Sequence, residues 1–144
     1  MSAPRSAAGA AGIFLAALLC AGCAAPQQPR IPNANWSLLG ADPSPQDTAL
    51  QVGVVRADCA GGKTGQVTGA DVQLGAQQVV VGVFVEELAE GAYSCPSNDT
   101  VPYTLELGEA LGERELVDGA CLEAQYESSP ACGNGGLRYQ PPVN

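Results

Sequence analysis

Gln78-Val-Val-Val-Gly-Val-Phe-Val85 is the most strongly strand-forming stretch of the chain. β-branched and aromatic side chains fit a pleated sheet and lose rotamer freedom in a helix. The run is apolar on both of its alternating faces, which is the pattern of a strand covered on two sides, so it is expected to be a central strand of the core. Gly75-Ala-Gln77 just before it reads as a turn, and Gln66 to Thr68 and Asp71 to Leu74 read as short strand pieces leading into that turn.

Moving outward, Leu50, Val52 and Val54 alternate with Gln51 and Gly53, the two-residue period of a sheet with one buried face. Val101, Tyr103, Leu105 and Leu107 alternate in the same way with Pro102, Thr104 and Glu106. Pro102 has no N–H to donate to a ladder, which assigns that strand to a sheet edge. Glu115 to Val117, Ala120 to Tyr126 and Gly136 to Gln140 offer further short strands, while Glu86 to Ser94 reads as an acidic loop. No long amphipathic helix and no internal repeat interrupts this series. About six to eight short strands punctuated by Gly and Pro predict an all-β fold, specifically a small antiparallel β-sandwich of the immunoglobulin-like class, over residues 49–144.

The N-terminal part has a different composition. Arg5 is followed by an uncharged run from Ala7 to Cys20. That is the layout of a secretory signal, and roughly 14 residues is short of the about 20 that a helix needs to span a bilayer. Ala21-Gly22-Cys23 closes it and resembles the end of the bacterial lipobox, with Cys20 standing where Leu is usual. The resemblance implies that residues 1–22 are removed and that the Cys23 sulfur carries a diacylglyceryl group. Two acyl chains hold a protein at a membrane where one holds it only marginally. The expected address is therefore the extracytoplasmic face of the cell membrane, lipid-anchored. Residues 23–48, rich in Pro26, Pro29, Pro32, Pro43 and Pro45, read as an extended tether, within which Asn33-Ala-Asn-Trp36-Ser-Leu-Leu39 is an apolar island whose Trp36 docks on the domain edge.

With Cys23 assigned to lipid and Cys20 lost with the leader, Cys59, Cys95, Cys121 and Cys132 remain, an even number in an oxidising compartment. The preferred pairing is Cys59 with Cys95, tying the loops that flank the central hairpin, and Cys121 with Cys132, closing the Gly-rich C-terminal loop. A zinc site made of the same thiolates is disfavoured, because no Cys-x2-Cys spacing occurs. Cys20-Ala-Gly-Cys23 has redox spacing but lies in an export signal rather than between a strand and a helix.

Charge and missing residue types exclude several functions. All fifteen Asp and Glu lie after the leader, against five bases (Arg30, Arg56, Lys63, Arg114, Arg138), a side-chain balance near −10. A nucleic-acid partner needs a basic face that this chain cannot assemble, and anionic headgroups are disfavoured for the same reason. No histidine is present, which removes Ser-His-Asp and Cys-His catalysis and the commonest metal ligand. Gly61-Gly-Lys-Thr64 looks like the tail of a phosphate loop, but position 57 is Ala and no helix pattern follows, so a plain turn is expected. Glu86, Glu87, Glu90, Glu106, Glu109, Glu113 and Glu115 read as a solvated acidic face in which no spacing selects a pair. The sequons at Asn35 and Asn98 read as incidental.

Ala110-Leu-Gly-Glu-Arg-Glu-Leu-Val-Asp-Gly-Ala-Cys121, together with Cys59-Ala-Gly-Gly62 and Tyr103-Thr-Leu-Glu-Leu107, resembles a group of uncharacterised actinobacterial lipoproteins. Those proteins carry a Pro-Leu-Gly-Asp-Arg…Val-Asp-Gly…Cys segment. Ala110 replaces its proline and Glu113 its aspartate. The resemblance implies a secreted or lipid-anchored β domain and no particular activity. Within it, Arg114 is expected to pair with Glu113, Asp118 or a backbone carbonyl. The expected function is a non-enzymatic binding or structural module of the cell envelope, reached by an envelope protein or small ligand and needing no cofactor. An envelope hydrolase working through a carboxylate pair is the alternative, recognisable by two facing acids in a concave pocket.

Overall fold

A computed structural model describes residues 29–143; the expected leader, Cys20 and Cys23 lie outside the described residues. Seven strands account for nearly all of the regular structure: β1 Ala34–Leu38, β2 Ala49–Arg56, β3 Val67–Leu74, β4 Gln78–Val85, β5 Val101–Glu106, β6 Glu115–Asp118 and β7 Leu137–Tyr139. Two short 3₁₀ turns, Gly119–Leu122 and Pro130–Cys132, separate the last two strands. The all-β class follows from the same residues that announced it.

β4 is the central strand. Val79, Val81, Val83 and Val85 are buried on its inner face, packed with Leu50, Val52 and Val54 of β2 and with Leu105, Leu111 and Leu116. Its outer face carries Phe84 and Gly82, which the N-terminal segment covers. The two separate strand pieces expected at 66–68 and 71–74 join into one strand, β3, with a bulge between Val67 and Gly69. Pro102 lies in β5, at the end of the sheet, opposite Gly53.

The strand order is β5-β2-β1-β4-β6-β7, with β3 on the other side of β4. β1 joins β4 through one residue pair, Ala34 with Val83, while β6 runs alongside β4 from Gln78 to Val81. That last pairing is parallel, so the sheet is mixed where an antiparallel arrangement was expected. Alternation reports which face of a strand is buried but carries no information about its direction. Between β4 and β6 the chain crosses to the far edge to lay down β5 and then returns, and that long crossover brings β6 back in the same sense as β4.

Two further expectations are revised. Trp36 lies in β1, only 2% exposed, and its indole N–H donates to the Val81 carbonyl at 3.0 Å. The folded unit therefore starts within the stretch 23–48 read as tether, and Asn33 is hydrogen-bonded into it. The Asn33 side-chain amide donates to the Val85 carbonyl at 3.1 Å, and its oxygen accepts from the Val85 N–H at 2.8 Å. Ala120 to Tyr126 is not a strand but a 3₁₀ turn and further turns, because Asp118 caps the Ala120 N–H and starts the turn there.

Candidate functional site

A concavity of about 760 Å³ lies on the outer face of β4. Its floor is Val80, Gly82 and Phe84, the outward-facing positions of that strand, and Leu122 of the first 3₁₀ turn flanks it. The N-terminal segment forms one wall, and the contacts that seat it are specific. A Cβ on Gly82 would stand 2.5 Å from Pro32 Cγ, so the absence of a side chain at 82 lets the proline lie against the strand. The Arg30 guanidinium stacks over the Phe84 ring, 4.1 Å from its centroid. Asp71 of β3 and Glu123 supply carboxylates to the lining. An apolar floor, one cation and two acids are thus collected in a single groove.

Behind β6 sits a buried polar hub. The Asp118 carboxylate is fully buried and accepts four hydrogen bonds: from the Ala120 N–H at 3.0 Å, the Trp36 N–H and Asn35 side-chain amide at 3.1 Å each, and the Arg138 guanidinium at 2.7 Å. A buried carboxylate is tolerated only when its oxygens are satisfied in this way. β1, β6, the 3₁₀ turn and β7 are held to one another through that single side chain. Sequence reasoning singled out Asp118 only as a partner for Arg114; the signal it missed was Asp followed by Gly and a short turn, the pattern of an N-cap.

The four cysteines expected to be oxidised are paired as anticipated, Cys59 with Cys95 (Cα separation 4.5 Å) and Cys121 with Cys132 (5.3 Å). The first bond ties the β2–β3 loop to the β4–β5 loop, and backbone bonds from Gly61 to Ser94 and from Asp99 to Gly62 run beside it. The second lies against the hub, where the Asn35 amide approaches Cys121 Sγ at 3.5 Å. Gly136, with φ at 80°, passes so close that a Cβ there would meet the Cys121 Cβ at 2.6 Å.

Several other singled-out residues make contacts within the scaffold. Thr64, at the end of Gly61-Gly-Lys-Thr64, is buried; its hydroxyl accepts from the Arg56 N–H and its N–H donates to the Asp99 carboxylate at 2.6 Å. Arg114 clasps its own loop, donating to the Leu111 and Ala110 carbonyls and to Glu109 at 2.7 Å, and it reaches neither Glu113 nor Asp118. Of the acidic face, Glu109 is thus spent on Arg114 and Glu115 accepts from Gln140. The amide nitrogens of both sequons are engaged, Asn35 with Asp118 and Asn98 with the Arg56 and Asp58 carbonyls. Tyr126 donates to both oxygens of Asp58, at 3.2 and 3.1 Å. Burial, and then the Asp58 charge, push its phenol up to about 12.

Among the described residues no group of three or more His, Cys, Asp or Glu side chains is placed to hold a metal ion, and no helix is long and apolar enough to cross a membrane. Comparison with known proteins finds no matching family model, no similar curated protein and no similar solved structure.

Proposed function

We propose that the protein is a lipid-anchored module of the cell envelope, with diacylated Cys23 at the membrane and the β domain outside it, serving a binding or structural role rather than catalysis. The observation that carries this reading is the pair of disulfides, since bonds of this kind persist in oxidising compartments and agree with an export leader ending in Ala21-Gly22-Cys23. The outer groove supports a binding role: its apolar floor and few charged groups are the usual composition of a ligand pocket. The finer architecture belongs to the same proposal. β5-β2-β1 on one side and β3-β4-β6-β7 on the other are joined in the strand ladder by a single residue pair and share one core, which supports a two-layer sandwich of immunoglobulin-like type. Metabolic labelling with a fatty-acid analogue tests the anchor. Label is expected on the native chain and lost in Cys23→Ser; label retained by that variant would overturn the assignment.

A further inference from the structure

We propose that the groove on the outer face of β4 takes the headgroup of an amine-bearing, net-neutral phospholipid of the bilayer to which the chain is anchored, an inference that rests on the lipid anchor at Cys23. Reach is the first argument. Pro29 stands in the groove wall, six residues after Cys23, and an extended chain spans at most about 3.3–3.6 Å per residue. The groove is therefore within about 20 Å of the lipid surface. It is not held off by a long spacer, because Pro32 and Asn33 are already fastened to β4.

Chemistry is the second argument. Ion pairs among the described residues involve Arg114 and Arg138, so the Arg30 charge over Phe84 is not spent in one. A guanidinium suits a phosphate, which accepts two N–H donors side by side. Asp71 and Glu123 suit a primary ammonium, which donates up to three hydrogen bonds. Val80 and Leu122, the latter 59% exposed, offer an apolar surface to the glycerol and proximal acyl carbons, while Phe84 lies beneath the Arg30 guanidinium. A zwitterionic head with an apolar tail matches cation, acids and floor at once. A volume of about 760 Å³ is adequate for such a head, and the acidity of the chain after the leader, near −10, works against anionic lipids in the same place.

The test is an NMR titration of the purified full chain with short-chain phosphatidylethanolamine below its micelle concentration, compared with short-chain phosphatidylglycerol and with free ethanolamine. Backbone shifts at Asp71, Gly82 and Glu123 are expected with phosphatidylethanolamine alone. The double variant Asp71→Asn/Glu123→Gln, at surface positions, is expected to weaken the response about tenfold. Equal shifts with phosphatidylglycerol or with ethanolamine, a response centred on residues 86–94, or a double variant that binds unchanged would each overturn the proposal. The lipid is added in solution, so the groove is read whether or not Cys23 is acylated. The mass of the N-terminal peptide from the same sample reports the anchor separately.

Discussion

At the residue scale, Asp118 concentrates the most interactions in the least exposed place. Its side chain is wholly buried, and that of its partner Arg138 is 12% exposed. Asp118→Asn leaves the guanidinium without its counter-charge and turns one acceptor into a donor facing other donors. Removing one member of a buried pair costs about 3–5 kcal/mol, and urea unfolding of the variant should show a loss of that order. Arg114, by contrast, grips an exposed Glu109, a kind of pair worth about 0–1 kcal/mol. Tyr126 predicts a pH dependence. A phenol raised from 10.0 to about 12 in the folded state binds its proton more tightly than in the unfolded chain, so its stabilising contribution is complete below pH 10 and disappears as pH rises towards 12. Stability measured across that window should fall in the native protein and fall less in Tyr126→Phe. At this scale the sequence was only partly legible. It gave the pairing of four cysteines, and it marked Arg114 and Gly61-Gly-Lys-Thr64 as structural. It could not give the partners of Asp118, which come from Asn35, Trp36 and Arg138, up to 83 residues away in the chain.

At the element scale, β4 shows why period and composition identified three strands readily. β2, β4 and β5 each place β-branched, leucine or aromatic residues at alternate positions. β1 was hidden because five residues bracketed by prolines look like linker, although Ala34 and Trp36 are core. The segment 120–126 misled in the opposite direction, since its alternation is apolar but its backbone is set by the Asp118 cap and the Cys121–Cys132 bond. Two predictions belong here. Gly82→Ala places a methyl within 2.5 Å of Pro32, so the segment 29–32 should leave the groove. Overpacking of this kind costs about 1–3 kcal/mol, and limited proteolysis should cut ahead of Asn33 faster than in the native chain. Replacing Cys59 and Cys95 together by Ala frees a loop of sequence separation 36, for which chain entropy gives a loss of about 4 kcal/mol in denaturant unfolding.

For the molecule as a whole, the all-β class was readable, but the mixed sheet was not. Parallel pairing of β4 with β6 depends on where the chain crosses, and the crossing is encoded in loops without periodicity. The early start of the fold changes the functional picture more than the topology does. A spacer reaching to residue 48 would let the domain roam, whereas a chain already fastened to β4 at Asn33 leaves, under the proposed anchor, only a short stretch of sequence between Cys23 and the groove. Export, oxidation of four cysteines and acylation of a fifth are linked in this account, because each requires the chain to cross the membrane. Intact mass spectrometry of the protein purified from its own membranes tests all three together. The account predicts a chain beginning at Cys23 with a diacylglyceryl group attached and with Cys59, Cys95, Cys121 and Cys132 oxidised; a chain that keeps residues 1–22 and carries a free thiol at Cys23 would contradict it.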